Sequence, residues 1–337
     1  MHKSITSILA ILAAGSVTVS AAHADKLVVT TNLPPSHWAS TNGGVPLLEC
    51  VSAATNNEVE FDYYDSGKLA TFFQSLSAVN DGLAQVSYVV ISAQSDKLPL
   101  TGITMLPGLG RNTVEATQAT RAALDSDSEI AKEFANNRIV PVMINIFPAY
   151  QMLSVGAPFD TLEAIQGKKI SSGGGSLMVT LADLGASPVE MQTADLYLAL
   201  QQGTLDGTML STTSVEPYKL QEVIKSITAN GNFGTASGIW SVDSAVWDAM
   251  PDAHKTAFLD CGKKVEAELA AWADQYVLDT QAKLKEQGIQ VAEISTEELA
   301  KINVELESAR QDYISRLTER GIPAEKAYKE YLAVLPK

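Results

Sequence analysis

The chain has 337 residues, of which 46% are hydrophobic and 19% are charged, and it carries a formal net charge of -15 at pH 7. This composition excludes an intrinsically disordered protein, and the length is sufficient for two domains with a sizeable core. The acidic excess argues against a nucleic-acid partner and against an anionic membrane surface, because both are polyanions.

The N-terminus has the pattern of a secretory signal peptide. Lys3 precedes an apolar run over residues 5–19, and Ala22-His23-Ala24 is a small-x-small cleavage site. The apolar run is shorter than the roughly 20 residues that a membrane-spanning helix needs. We therefore predict a signal peptide over residues 1–24, cleavage after Ala24 and a periplasmic mature protein.

The first half of the mature chain alternates between strand and helix patterns. Strands are predicted at residues 26–31, 59–64, 84–91 and 139–146, extended structure at 98–106, and helices up to about residue 55, at 71–81 and at 113–136. A β-α-β-α-β order predicts a mostly parallel sheet that is covered by helices.

The second half repeats this alternation around residues 160–220. There, a helical turn capped by Asp160 leads into a strand, a serine-glycine loop at 171–176, a helix, a strand, a helix that Gly203 ends, and a strand at 205–210. A strand that opens into a glycine loop and a helix is how open α/β sheets build ligand crevices. Further on we predict a strand at 231–241, a long helix, a strand at 289–294, a helix capped by Ser295 and a last helix from about residue 324.

This order predicts an α/β protein with two lobes, each with its own sheet. We place residues 25–148 plus 239–283 in the first lobe and residues 149–238 plus 284–337 in the second. Strands that cross between the lobes would serve as hinges, and the ligand would bind in the interlobe cleft.

Histidine, on which several enzyme classes depend, is scarce in this chain. Two of the four histidines leave with the signal peptide, so that only His37 and His254 remain. The sequence has no GxSxG elbow, no HExxH motif and no Cys/His spacing typical of a metal site. We therefore expect a protein without catalytic activity, metal or cofactor. For His37, a structural role beside Trp38 is favoured over a ligand contact.

The two cysteines, Cys50 and Cys261, allow two interpretations. In the oxidising compartment of an exported protein they could form one disulfide. Each also lies on an apolar helical face, Cys50 with Leu47 and Cys261 with Phe258, which is typical of a buried thiol. Both interpretations remain open at the level of the sequence.

Two groups of residues are candidates for the wall of a binding site. The backbone N–H groups of residues 173–175 could cradle a small ligand, or the loop could be a plain tight turn. Six aromatic residues fall at predicted strand ends or loops, where cleft walls form, although core packing is the default role of each: Trp38, Tyr64, Tyr88, Tyr150, Tyr218 and Trp240.

The most specific motifs lie between residues 166 and 207. They are Gln166-Gly167-Lys168-Lys169-Ile170, Leu184-Gly185-Ala186-Ser187-Pro188-Val189 and Tyr197-Leu198-Ala199-Leu200-Gln201-Gln202-Gly203-Thr204-Leu205-Asp206-Gly207. With shorter pieces at 65–69, 78–82, 105–107 and 245–251, they make the mature chain resemble the solute-binding proteins of tripartite ATP-independent periplasmic (TRAP) transporters, of the dicarboxylate-binding DctP type.

The resemblance implies a venus-flytrap fold with a long helix that spans both lobes. It also implies capture of a small organic acid by closure of the cleft, and delivery of that solute to the small and large permease subunits in the membrane. We expect a monomer that does not bind nucleic acid. A ligand-sensing protein that serves a membrane receptor is the alternative, since it would use the same cleft.

Two positions depart from the family pattern. Where the family carries an arginine that clamps the substrate carboxylate, this chain has Ser171, and the polar residues that often follow Asp206-Gly207 are replaced by Thr208-Met209-Leu210. The loss of the clamp predicts a monocarboxylate or another atypical acid as the ligand.

Three hypotheses for the ligand follow from these departures. An anion could be bound by Ser171, Ser172, the glycine-loop backbone and Arg111. A neutral or aromatic solute could stack on the aromatic residues, and a cation could enter an aromatic cage with Glu216 or Asp206. The predicted ligand-binding residues are Trp38, Tyr88, Arg111, Tyr150, Ser171, Ser172, Gly173, Met209, Leu210 and Trp240.

Overall fold

The computed structural model describes residues 26–336. The strands of this part of the chain are β1 (Leu27–Thr30), β2 (Phe61–Tyr64), β3 (Val86–Val90), β4 (Ile139–Ile146), β5 (Gln151–Ser154), β6 (Lys169–Ser172), β7 (Ser187–Glu190), β8 (Gly207–Leu210), β9 (Ser226–Thr228), β10 (Ser237–Asp243) and β11 (Gln290–Ala292). The predicted signal peptide and its cleavage site lie outside the described residues.

Helices cover the strands and connect them. They are α1 (Val45–Ala54), α2 (Ser77–Asn80), α3 (Thr113–Leu124), α4 (Glu129–Asn136), α5 (Leu162–Ile165), α6 (Ser176–Asp183), α7 (Leu196–Gln201), α8 (Ser244–Ala249), α9 (Asp252–Glu286), α10 (Thr296–Glu319) and α11 (Ala324–Val334). None of the helices in residues 26–336 is long and apolar enough to cross a membrane.

The strands form two sheets, one in each lobe. The first has the order β2-β1-β3-β10-β4 and the second the order β11-β9-β5-β8-β6-β7. In each sheet one strand runs antiparallel to both of its neighbours, β10 in the first and β5 in the second, while the other pairs are parallel. Both of these strands follow a crossing between the lobes. The predicted two-lobed α/β fold is confirmed, and its sheets are mostly parallel as expected, with one reversed strand in each.

Helix α9 is the longest element and contacts both lobes. Its 35 residues span about 50 Å at 1.5 Å per residue. The N-terminal part packs on α1, α3 and β4 of the first lobe, and further along Tyr276 Oη donates to Glu216 Oε2 of the second lobe at 2.8 Å. Gln281 also donates to the carbonyl of Ala229 at 3.3 Å. The expected helix spanning both lobes is therefore present.

A disulfide joins α1 to α9 within the first lobe. Cys50 and Cys261 are bonded, with their Cα atoms 5.8 Å apart. Of the two interpretations that the sequence allowed, the structure selects the disulfide. The cross-link closes a loop of 211 residues, and a loop of this length removes much conformational entropy from the unfolded chain.

Of the two C-terminal helices, α10 contacts both lobes and α11 packs on the first lobe. Helix α10 lies against α6 of the second lobe, and near its end Tyr313 donates a hydrogen bond to the carbonyl of Pro99 at 2.8 Å. Helix α11, which the predicted boundaries assign to the second lobe, packs on α3 and α4 of the first lobe. Its Tyr331 hydroxyl lies 3.3 Å from that of Thr120.

Local structure differs from the prediction where tertiary contacts override the sequence pattern. Residues 98–106 were expected to be extended, and the structure has a 3-10 helix over Thr101–Met105. Thr101 donates both its N–H and its hydroxyl to Glu133, which holds the chain in a turn. The predicted helix at 113–136 is broken between α3 and α4, because the Ser128 side chain caps a new helix by accepting the N–H of Ala131.

The first lobe contains buried charges, and each of them has polar partners. Arg121 of α3 makes a two-pronged ion pair with Glu266 of α9, with Nη2–Oε2 and Nε–Oε1 distances of 2.6 and 2.8 Å. The same carboxylate accepts the Ile144 N–H of β4 at 2.8 Å, so the pair connects three elements. Glu133 of α4 accepts the N–H groups of Leu100 and Thr101, both at 2.7 Å.

Candidate functional site

An enclosed cavity lies between the two lobes. Its volume is about 40 Å³, measured as the space open to the centre of a water molecule, and a single water needs roughly a third of that. The first lobe, β10 and the crossing segments line it with Asn32, Leu33, His37, Phe72, Tyr88, Val90, Ser92, Phe147, Ala236 and Ser237. The second lobe contributes Tyr150, Ser172, Gly173, Met191, Thr193, Leu196, Thr208, Leu210, Ser214 and Tyr218.

These lining residues include no aspartate, glutamate, lysine or arginine. The polar groups in the wall are hydroxyls, one amide and one imidazole, and the remaining wall is aliphatic or aromatic. Ligand pockets in proteins are usually of this kind, apolar with a few polar groups that fix the orientation of the ligand. Recognition in this cavity therefore depends on shape and on hydrogen bonds between uncharged protein groups and the ligand.

His37 is the imidazole in this wall, and its side chain is held in one tautomer. The backbone N–H of Ala39 donates to His37 Nδ1 at 3.1 Å. Because Nδ1 accepts a hydrogen bond, the ring proton resides on Nε2. His37 is 0% exposed, and this burial lowers its pKa to about 3, so the ring is neutral at physiological pH. Nε2 has no hydrogen-bond partner among residues 26–336.

Three tyrosines form much of the remaining polar wall. Tyr88 of β3 donates its hydroxyl to Asn145 Oδ1 of β4 at 2.7 Å. Its ring lies across Gly238 of β10, where an added Cβ would be 1.9 Å from Tyr88 Cζ. Burial raises the pKa of the Tyr88, Tyr150 and Tyr218 hydroxyls above the ordinary value, so these groups remain protonated. They can therefore donate or accept hydrogen bonds without adding charge.

The glycine loop closes the cavity against the first lobe. At Gly174, φ is +107°, and a Cβ would lie 2.8 Å from the carbonyl oxygen of Ser92. Both the backbone conformation and the close approach therefore require glycine at this position. An added Cβ at Gly173 would lie 2.9 Å from Ser92 Oγ. The two lobes thus touch directly, as expected for a cleft in its closed form.

The sequence matches the family model of bacterial extracellular solute-binding proteins, family 7 (DctP), over residues 32–316. The chain belongs to this family. A solute-binding protein from Albidiferax ferrireducens is 23% identical over 251 residues, which are 73% of this chain and 72% of that protein.

Two solved structures are similar to this family 7 protein over nearly its whole length. One is a marine metagenome TRAP solute-binding protein specific for aromatic acid ligands, in complex with metahydroxyphenylacetate, with a TM-score of 0.85, 19% identity and coverage of 92% of this chain and 98% of that one. The other, from Rhodoferax ferrireducens with copurified benzoate, has a TM-score of 0.84, 17% identity and coverage of 92% and 97%. At identities this low, the similarity shows a shared fold and nothing more specific.

Half of the predicted ligand-binding residues of this solute-binding protein lie in the cavity wall. They are Tyr88, Tyr150, Ser172, Gly173 and Leu210. Trp38, Arg111, Ser171, Met209 and Trp240 are not among the lining residues. The cavity wall therefore contains the predicted tyrosines and part of the glycine loop. It does not contain the two tryptophans or Arg111.

The tryptophans fill the core beside the cavity. Trp38 is 3% exposed and packs edge-on against Phe147, with ring centroids 5.1 Å apart, and against Trp272 of α9 at 5.9 Å. Trp240 is 0% exposed and packs behind Tyr88 at 5.2 Å. Each ring supports a residue of the wall, so these positions shape the cavity without lining it.

Ser171 and Met209 are also buried in the second lobe. Both side chains are 0% exposed. The carbonyl of Ser171 accepts the hydroxyl of Thr208 at 3.1 Å, while Ser171 Oγ has no partner among the described residues. The neighbouring Ser172 and Thr208 take the places at the wall, because successive side chains of a strand point to opposite faces.

Arg111 lies outside the cavity, at the start of α3. Its Nη2 is 2.7 Å from Glu115 Oε1, and its side chain is 69% exposed. This pairing raises the pKa of Arg111 and lowers that of Glu115. Arg111 is thus a solvated arginine beside the start of a helix, and its side chain does not reach the cavity wall.

Sequence reasoning did not place His37 in the cavity wall and missed several other wall residues. His37 was interpreted as structural because a loop histidine beside a tryptophan usually is. The turn that brings the N–H of Ala39 onto Nδ1 leaves the ring proton on Nε2. No sequence motif signals that turn. Asn32, Phe72 and Ser237 reach the wall from three separate segments, and only the folded chain brings them together.

Proposed function

We propose that this protein is the extracytoplasmic solute-binding subunit of a TRAP-type secondary importer and that it captures a small organic acid in the interlobe cavity. The observation that carries the proposal is the enclosed, mainly apolar cavity between two lobes that are joined by the segments after β4 and β9. Family membership supports it, and so do the aromatic acid and benzoate bound by two proteins of the same fold.

The cycle that we propose is binding without chemistry. The open cleft admits the solute, the lobes close until the glycine loop meets Ser92, and the closed form docks on the membrane permease subunits. Each lobe supplies part of the wall, so solute contacts stabilise the closed form relative to the open one. We propose further that the protein is monomeric, that it lacks catalytic activity and that it is exported with cleavage after Ala24.

A thermal-shift screen of the mature protein tests this function. The screen would contain benzoate, 3-hydroxybenzoate, mandelate, pyroglutamate and succinate, each in large excess. A ligand at a hundred times its dissociation constant adds about 2.7 kcal/mol to the free energy of unfolding. We expect at least one acid to raise the melting temperature. The proposal would be rejected if no small organic acid stabilised the protein.

Binding of a neutral solute is a second candidate function. It is favoured by the wall itself, in which the lining residues carry no charged side chain. A neutral molecule avoids the cost of moving a carboxylate from water into a cavity without a cation. Adding benzamide and benzyl alcohol to the same screen separates the two candidates, because both keep the ring of benzoate and lack its charge.

A further inference from the structure

We propose that His37 Nε2–H donates a hydrogen bond to a carboxylate oxygen of the solute, and that the solute is a ring-bearing monocarboxylate. This inference deepens the proposed function and rests on it. No group in the wall other than His37 combines a fixed proton position, complete burial and a missing partner in residues 26–336.

The donor is fixed by the backbone that carries it. The bond from the Ala39 N–H to Nδ1 orients the ring and leaves the proton on Nε2. The rings of Trp38, Phe147 and Tyr218 surround the imidazole, with centroid distances of 5.4, 5.8 and 5.7 Å. These rings bury the imidazole, and Nε2–H has no hydrogen-bond partner in residues 26–336. Such a donor gains more from an incoming acceptor than a solvated one does.

A second orphaned group lies in the same wall. Ser237 of β10 is 1% exposed, and its Oγ has no hydrogen-bond partner among the described residues. Its hydroxyl can donate to the other oxygen of a carboxylate, and Ser172 and Thr208 add hydroxyls from the second lobe. Hydrogen bonds to an ionised acceptor are about twice as strong as neutral ones. A carboxylate can therefore bind here without the arginine clamp.

The apolar wall determines the rest of the solute. Phe72, Tyr88, Phe147, Tyr150 and Tyr218 present aromatic rings to the cavity, and Leu33, Val90 and Leu210 complete its apolar surface. A flat apolar body fills such a space, and aromatic rings in offset or edge-on contact add to the gain from burial. A dicarboxylate would bury a second negative charge among these side chains with no cation in the wall to pair with it.

The first test compares benzoate binding to wild type and two His37 variants by titration calorimetry. H37L keeps the side-chain volume and removes the donor, whereas H37Q keeps a donor near the Nε2 position. We expect H37L to bind benzoate about 10- to 100-fold more weakly and H37Q to recover most of the loss. H254L is the matched control, because His254 pairs with Glu58 on the surface, away from the cavity wall, and we expect its affinity to equal that of wild type.

The second test reads the tautomer directly in the unliganded protein. A long-range ¹H–¹⁵N spectrum at pH 7 should show His37 protonated at Nε2 only, and benzoate should shift that proton resonance. A cooperative melt for each variant confirms that it is folded. The Nδ1–H tautomer would overturn the proposal, and so would a folded H37L that binds benzoate as tightly as wild type does.

The solute class is judged by the same titrations. Benzoate should bind more tightly than benzamide and succinate. Tighter binding of succinate, or failure of benzoate to bind wild type, overturns the assignment to a ring-bearing monocarboxylate, and tighter binding of benzamide overturns the carboxylate. Failure of every acid in the wider screen rejects the proposed function. The tautomer of His37 in the free protein still tests whether Nε2 carries the proton that the proposal requires.

Discussion

Two regions of the molecule differ in whether their buried polar groups have partners. The first is the set of buried ionisable side chains Arg121, Glu133 and Glu266 in the first lobe, which we call the frame, and the second is the interlobe cavity. In the frame, Arg121 and Glu266 are charged, paired and bonded to the backbone, and Glu133 accepts three hydrogen bonds. In the cavity, the lining residues are uncharged, and His37 Nε2 and Ser237 Oγ have no partner in residues 26–336. Arg121, Glu133 and Glu266 thus have their partners within the protein, whereas His37 Nε2 and Ser237 Oγ of the cavity wall have none among the described residues.

The difference teaches where each kind of burial is useful. A paired buried charge connects elements at the cost of dehydration, and removing one partner leaves the other stranded. An unpaired buried donor weakens the empty protein by the cost of its dehydration, and a matching ligand recovers that cost. We therefore expect changes in the frame to alter stability and changes in the wall to alter binding.

The largest expected effect is the loss of the ion pair in the frame. Arg121→Met strands the Glu266 carboxylate in the core, and breaking a buried pair in this way costs about 3–5 kcal/mol. Urea unfolding measures the loss, and benzoate affinity should not change. The double variant R121M/E266M should be more stable than R121M, because no unpaired charge remains. Arg316→Met, at an arginine that is 60% exposed, is the matched control, and a loss as small as that control would break the comparison.

The pH dependence of stability tests Glu133, the third ionisable group of the frame. Burial raises the pKa of Glu133 to about 7, above its ordinary value in the unfolded chain. At a pH between the two pKa values, the folded protein therefore holds a proton on Glu133 that the unfolded chain has released. The stabilisation is complete below the unfolded pKa and is lost as pH rises through about 7. The linked free energy is about 3 kcal/mol.

Unfolding free energies of wild type and E133Q at pH 5, 6, 7 and 8 check this prediction. Wild type should lose stability relative to E133Q as the pH rises, because glutamine does not titrate. Parallel pH profiles for the two proteins would show that Glu133 keeps its ordinary pKa.

A smaller effect is expected where frame and cavity meet, at Gly238. Its added Cβ would lie 1.9 Å from Tyr88 Cζ, so Gly238→Ala must push the tyrosine towards the cavity. Overpacking of this kind costs about 1–3 kcal/mol, and benzoate should bind more weakly as well. Gly156→Ala is the matched control, because its Cβ would have its nearest neighbour at 4.0 Å. Unchanged binding in G238A would show that Tyr88 does not shape the site.

The smallest effect is expected at Arg111. Its side chain is 69% exposed and pairs with Glu115 outside the cavity wall. Arg111→Ala should leave the dissociation constant for benzoate unchanged in titration calorimetry. A tenfold loss of affinity would mean that a cation does act on the solute, and the contrast between a charged frame and an uncharged wall would fail.

The parts of the fold that depend on local pattern could be predicted from the sequence. The alternation of strands and helices gave both lobes, and Ser295 caps α10 as expected, with its side chain accepting the N–H of Glu298. The break between α3 and α4 and the turn at Thr101 could not be predicted. They depend on a cap and on hydrogen bonds to Glu133, which lies 32 residues away in the chain.

The wall of the site could be predicted in part. Tyr88, Tyr150 and the glycine loop were expected there because cleft walls form at strand ends. Trp38 and Trp240 were expected for the same reason, but both pack behind the wall, since a large ring is buried wherever a neighbouring glycine or ring leaves space. Gly44 leaves such space for Trp240, because an added Cβ there would lie 2.3 Å from Trp240 Cζ2.

The most direct test of the account is a competition for the cavity. The mature protein would be incubated with equal concentrations of benzoate, benzamide, succinate and choline and passed through buffer exchange. It would then be denatured, and the released solute identified by mass spectrometry. An uncharged wall with His37 as a donor predicts benzoate as the main retained compound. Preferential retention of succinate, benzamide or choline would contradict it.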